Sequence, residues 1–161
     1  MKPNPPIHLL VRFSDSLLKD RDTIEQHNRV VEQQGAVWFG KMGSPVSQHH
    51  IDRLNEQSQA GTPTFVYLVK GNRRKSTAYR ANLVLATRDF PEDEQALIPP
   101  YYTELQIPQY VKFWVKLGMI TPISLEDLGK MKVASSVLSL AETLAKSSTG
   151  HFFIKEDKLL Y

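Results

Sequence analysis

The chain predicts a mixed α+β fold, a small β-barrel of five to six strands with helices packed on its outside. Short apolar runs of strand length recur along it, helix-capping signals separate them at irregular intervals, and the regular alternation of a parallel sheet is missing. A length of 161 residues with 41% hydrophobic content suffices for one substantial core. Residues 1–161 are therefore read as a single domain, with 1–6 as a proline-rich leader.

The first core strand is residues 7–13, Ile-His-Leu-Leu-Val-Arg-Phe, an apolar run suited to burial on both faces. Asp22 and Glu25 have capping-box spacing ahead of a helix-permissive stretch at 23–34, and Gly35 stands where a C-terminal cap belongs. That helix leads into a strand reading Val37-Trp38-Phe39-Gly40-Lys41. Ser47 can cap a second helix, in which Ile51 and Leu54 share a face and which Gly61 follows. Residues 64–69 and 77–86 are rich in β-branched and aromatic side chains and read as a hairpin with a basic tip. Pro91, Pro99, Pro100 and Pro108 interrupt any regular pattern, so 91–110 is expected to be an ordered loop laid over the domain. Alternation in the next strand puts Val111, Phe113, Val115 and Leu117 on one face and Lys112, Trp114 and Lys116 on the other. Ser124 begins an N-cap with acidic residues behind it. Residues 136–146 have helical spacing of apolar groups, and 151–155 make a closing strand.

Composition removes several function classes. The excess of 20 Lys and Arg over 17 Asp and Glu gives a net charge of +3, so any basic footprint must be local. No apolar run approaches the ~18 residues that span a bilayer, and the opening segment lacks the apolar core of a signal peptide. A cytoplasmic protein without a membrane partner is expected. The absence of cysteine excludes disulfides, thiolate zinc sites and a cysteine nucleophile. The adjacent His49 and His50 have no carboxylate or histidine at metal-binding spacing. Gly40-Lys41-Met42-Gly43-Ser44 is not a phosphate-binding loop, and no Gly-x-Ser-x-Gly elbow is present. The acidic clusters at Glu92, Asp93 and Glu94 and at Glu126 and Asp127 suit a turn and a helix start. No catalytic residue, metal or cofactor is assigned, and the chain reads as a binding module rather than an enzyme.

The remaining pattern is aromatic and basic. Trp38 is followed by Gly40 and Lys41, Tyr101 adjoins Tyr102, Trp114 stands between Lys112 and Lys116, and the hairpin tip carries Arg73, Arg74 and Lys75. Aromatic faces stack on an unpaired base for about 1–3 kcal/mol each while cations neutralise the backbone. Each feature has a structural reading too: tryptophans in a core, a solvated hairpin tip, tyrosines pinning a loop.

In order and spacing, Leu10-Val11-Arg12-Phe13-Ser14, Val37 to Lys41, Leu54-Asn55-Glu56, Phe65 to Val69, Tyr79-Arg80-Ala81-Asn82, Ile98-Pro99-Pro100-Tyr101-Tyr102 and Lys112 to Lys116 form a set. That set resembles the PUA-like superfamily, specifically its EVE and YTH branches and the modified-base-reading modules of restriction systems. The resemblance implies a reader of DNA or RNA that takes methylated cytosine or adenine, flipped into an aromatic pocket, with a nuclease or NTPase as partner in a restriction or defence system. It makes Trp38 the first cage wall, with Phe39 and Gly40 on the same strand, and Phe13, Ser14 and Asp15 the segment that closes on the base. No tryptophan lies between Tyr79 and Tyr110, so Phe90, Tyr101 or Tyr102 would supply the second wall, with Trp114 as a further ring. Lys41, Arg73, Arg74, Lys75, Lys112 and Lys116 are the expected phosphate contacts. The alternative is a general RNA-binding module without modified-base selectivity.

Overall fold

A computed structural model describes residues 6–15, 18, 21–70, 77–129, 131–133 and 151–156. The chain runs β1 (His8–Phe13), α1 (Thr23–Gln34), β2 (Val37–Met42), α2 (Gln48–Gln59), β3 (Phe65–Lys70) and β4 (Thr77–Thr87). It continues through α3 (Tyr101–Glu104), β5 (Val111–Leu117), β6 (Thr121–Ile123), α4 (Leu125–Gly129), β7 (Met131–Val133) and β8 (His151–Glu156). The expected helix over 136–146 and the hairpin tip with Arg73, Arg74 and Lys75 lie outside the described residues.

Local chemistry sets the helix ends. The Asp22 carboxylate accepts the Glu25 N–H at 3.0 Å, and Gly35, at φ 89°, donates its N–H to Val31 O at 2.7 Å. Ser47 Oγ accepts from the His50 N–H at 3.3 Å, and Ser124 Oγ from the Glu126 N–H at 3.1 Å. The stretch expected to be an ordered loop is a run of short helical turns, with 3₁₀ turns at Glu92–Leu97 and Pro108–Tyr110 flanking α3. Pro91 and Pro100 stand at N-cap positions and Pro108 at the first helical residue, where the missing N–H has no partner to lose. The prolines punctuate the segment without melting it.

The strands join in the order β2-β5-β4-β3-β1-β8-β7, with β6 attached to β4. β1 and β3 pair in parallel; the other ladders are antiparallel. Among the described residues this is an open sheet with β2 and β7 at its ends, which corrects the expected closed barrel of five to six strands. The main core lies where Leu9, Val11, Val37, Phe39, Leu68, Phe113, Val115 and Leu117 meet Ile24, Val30 and Val31 of α1 and Ile51 and Leu54 of α2. The alternation of β5 holds for Phe113 to Leu117 and fails at Val111. Lys41 opposes Phe113 while Met42 opposes Val111, so Lys112 is an extra residue in β5. This bulge turns Val111 to the Trp114 face, where it packs with Met42.

Where strand pairing stops, side chains take over the backbone groups. β3 follows β4 only as far as Asn82. Beyond that point α2 supplies the partners: Asn55 accepts the Ala86 N–H at 2.7 Å and donates to Ala86 O at 2.8 Å, and Ser58 Oγ donates to Leu83 O at 3.0 Å. Gln57 clamps both polar groups of Ile7 at 2.9 and 2.8 Å. Asn28 of α1 does the same for Ile120, at 2.9 Å for each bond. An amide is the side chain that can donate and accept at once, which is what an unpaired strand residue needs. Asn55→Ala strands two groups of a buried residue, so it should lower the unfolding free energy by about 2 kcal/mol. Urea titration should show a lower midpoint at unchanged slope, and a loss under about 0.5 kcal/mol would contradict the clamp.

Candidate functional site

A cavity of about 170 Å³ opens between the C-terminal ends of β1 and β2 and the segment from α3 to Ile107. β1 sends in Phe13 and, just past its end, Ser14; β2 contributes Phe39, Gly40, Lys41 and Met42. Tyr101, Tyr102 and Ile107 close the far side, and Thr23 enters from the first turn of α1. β1 and β2 share no ladder among the described residues, yet the Phe13 and Phe39 rings meet edge to face at 6.3 Å. The cavity thus occupies the gap that strand pairing leaves.

Tyr102 holds the covering segment in place. Its hydroxyl accepts the Gly40 N–H at 3.1 Å and lies 2.9 Å from His27 Nε2. His27 Nδ1 is 2.7 Å from Thr23 O, which can only accept, so Nδ1 carries the proton and Nε2 accepts from the tyrosine. Burial pushes the His27 pKa down to about 4, against a lesser upward pull from its bond to Thr23 O, and the ring is neutral near pH 7. Burial likewise raises Tyr101 to about 12 and lifts Tyr102 well above the ordinary phenol value, so both phenols keep their protons. Gly40 is required by this packing. A Cβ there would sit 2.9 Å from Val111 Cγ2, 3.0 Å from Trp114 Cζ3 and 3.1 Å from Tyr102 Cε2. The missing side chain admits the aromatic rings of Trp114 and Tyr102 against the strand.

The electrostatics of the rim are uneven. Lys41 is partly buried, and desolvation pulls its pKa below the usual lysine value. No carboxylate lies within ion-pair distance of it among the described residues. Asp15, by contrast, is engaged: it accepts the Thr23 N–H at 2.9 Å and pairs with Lys70 at 3.0 Å. Burial alone would raise the Asp15 pKa, but the hydrogen bonds from Thr23 and Lys70 outweigh it and the net shift is downward. Asp15 ties the start of α1 to the end of β3.

Of the residues singled out in the sequence, Phe13, Ser14, Phe39 and Gly40 come together at the cavity with Lys41, Tyr101 and Tyr102. Among the described residues, the others stand elsewhere. Trp38 and Trp114, each 1% exposed, form a second core with Leu18, Ile98, Tyr101, Tyr102 and Ile107 on the outer face of β2 and β5. Trp38 is therefore packed behind the cavity and does not line it. Phe90 meets Trp114 edge to face at 5.6 Å. Lys116 pairs with Glu94 at 2.6 Å and lies 5.9 Å from the Trp38 ring centroid. Lys112 lines a separate groove with Arg88. Of the cavity lining, sequence reasoning missed Arg12, Leu18, Thr23, Met42 and Ile107, and behind the lining it missed His27. The i, i+4 spacing of Thr23 and His27 on one helix face was the available signal for that pair.

Two outcomes follow from the tyrosine contact. Gly40→Ala should destabilise by about 1–3 kcal/mol through overpacking, measured by denaturant unfolding; wild-type stability would refute the close approach. His27 remains neutral when folded and protonates near pH 6.5 when unfolded, so the unfolded state binds the extra proton between about pH 6.5 and 4. Stability should fall with decreasing pH across that window, by up to about 1.4 kcal/mol per unit, whereas the Asp15 contribution is lost only below its ordinary value of 3.8. His50, also shifted down by burial and by His49 and Arg53, acts with the same sign. The difference between wild type and His27→Gln isolates His27, and identical pH profiles would contradict the assignment.

Among the described residues no group of three or more His, Cys, Asp or Glu could hold a metal ion, and no helix is long and apolar enough to cross a membrane. No curated protein and no solved structure matches the chain. A Pua-like family model matches residues 9–159, and domains of that kind are generally modules that bind RNA or other nucleic acids. With the match covering nearly its whole length, the chain belongs to the Pua-like family.

Proposed function

We propose that this protein is a non-catalytic reader of the EVE and YTH type, whose cavity takes a modified base turned out of its strand. The cavity carries the reading: it gathers the rings of Phe13, Phe39, Tyr101 and Tyr102, the Ser14 hydroxyl and a lysine without an acidic partner. The rings offer apolar and π contact, Ser14 a hydrogen bond to a base edge, and Lys41 a cation for the phosphate of the same nucleotide. A cavity near 150 Å³ holds benzene. A volume of about 170 Å³ therefore suits one six-membered ring with small substituents, which favours methylated cytosine over methylated adenine. A buried methyl group adds roughly 0.8 kcal/mol, or about fourfold in affinity.

Fluorescence anisotropy at fixed salt, with single-stranded probes carrying cytosine, 5-methylcytosine, adenine or N6-methyladenine, tests this. The 5-methylcytosine probe should bind about fourfold tighter than its unmodified match, with no gain for N6-methyladenine. Lys41→Gln should weaken every probe about tenfold and leave the methyl preference intact. Trp38→Ala is a poor control, because it would hollow out the second core. Equal affinity for all four probes would contradict modified-base selectivity and favour the general nucleic-acid binder.

A further inference from the structure

We propose that the groove between the end of β4 and the start of β5 binds the phosphodiester of the nucleotide next to the one in the cavity, so that a single strand crosses the end of β2. The inference rests on the base-in-cavity reading and adds a second subsite to it. The groove is lined by Pro45, Gln48, Arg88, Asp89, Val111 and Lys112. Arg88 and Lys112 are both exposed, and neither has an ion-pair partner among the described residues. Asp89 is the one acid in the lining, so cations outnumber it by two to one.

Groove and cavity are neighbours. Met42 lines the cavity, Val111 lines the groove, and the two are paired across the β2–β5 ladder. The bulge at that point gives Lys112 no opposite residue on β2 and leaves it exposed. Lys41 lines the cavity beside Met42, and Arg88 and Lys112 line the groove beside Val111, so cations stand in both subsites. Exposed rings adjoin both walls in the chain: Phe90, 38% exposed, follows Asp89, and Tyr110, 60% exposed, precedes Val111. Cations along a groove with aromatic faces beside them are what a single strand requires, the phosphates neutralised and the flanking base stacked on Tyr110.

The test compares 5-methyldeoxycytidine 5′-monophosphate with a trinucleotide carrying 5-methylcytosine at its centre, titrated calorimetrically at several salt concentrations. Proteins are the wild type, the double variant Arg88→Gln/Lys112→Gln, and Tyr110→Ala, each checked for an unchanged melting temperature. The double variant should bind the trinucleotide about tenfold more weakly and reduce its logarithmic salt slope by about 0.7, the value for the one single-strand phosphate the groove holds, with the mononucleotide unaffected. Tyr110→Ala should weaken the trinucleotide at least about fivefold. Unchanged trinucleotide affinity and slope, or equal weakening of both ligands, would overturn the groove while sparing the cavity. A wild type that binds neither ligand would overturn both.

Discussion

One hydroxyl fixes the geometry on which the cavity depends. Tyr102 Oη receives the Gly40 N–H from β2 and engages His27 on α1, so a strand, a helix and the covering segment are tied at one buried atom. The bonds are individually worth about 1 kcal/mol net, but in a dry site an unmade partner costs more than a made one gains. Had Gly40 carried a side chain, the ring could not reach that position. Had His27 been charged, it would have presented a second donor where it must accept. The placement of Tyr101 and Ile107, hence the far side of the cavity, follows from this tie.

The same logic operates where strand pairing ends. Backbone donors and acceptors left there must be met inside a folded chain. Amides on α2 and α1 meet them, Asn55 holding Ala86 beyond the reach of β3 and Asn28 holding Ile120 between β5 and β6. Side chains can do for one residue what a strand does for a row. The cavity opens at another such place, between the C-terminal ends of β1 and β2, which share no ladder among the described residues.

Signals that act over a few residues were readable in the chain. Asp22, Gly35, Ser47 and Ser124 cap as their types and spacing dictate, and Phe113 to Leu117 alternate as a strand must. What escaped was set by distant partners. A closed barrel requires a ladder between the end strands β2 and β7, and nothing local reports that none forms among the described residues. The bulge that reverses Val111 depends on register with β2. Trp38 illustrates the cavity region: its strand lines the cavity through Phe39, Gly40 and Lys41, but the depth of its own ring is decided by Tyr102 and Ile107, more than sixty residues away. Strand alternation puts Phe39 and Lys41 on one face of β2 and Trp38 on the other, and distant packing decides that the first face lines the cavity while the second is sealed in the second core.

The central claim is that a base enters this cavity, and the most direct measurement is a ¹⁵N-resolved amide titration of the full chain with the trinucleotide carrying 5-methylcytosine. The account predicts saturable shifts concentrated at Ser14, Gly40 and Lys41, with the backbone amides of His27 and Tyr102 moving in step. Shifts confined to surfaces remote from these residues, or no shifts at saturating ligand, would contradict it.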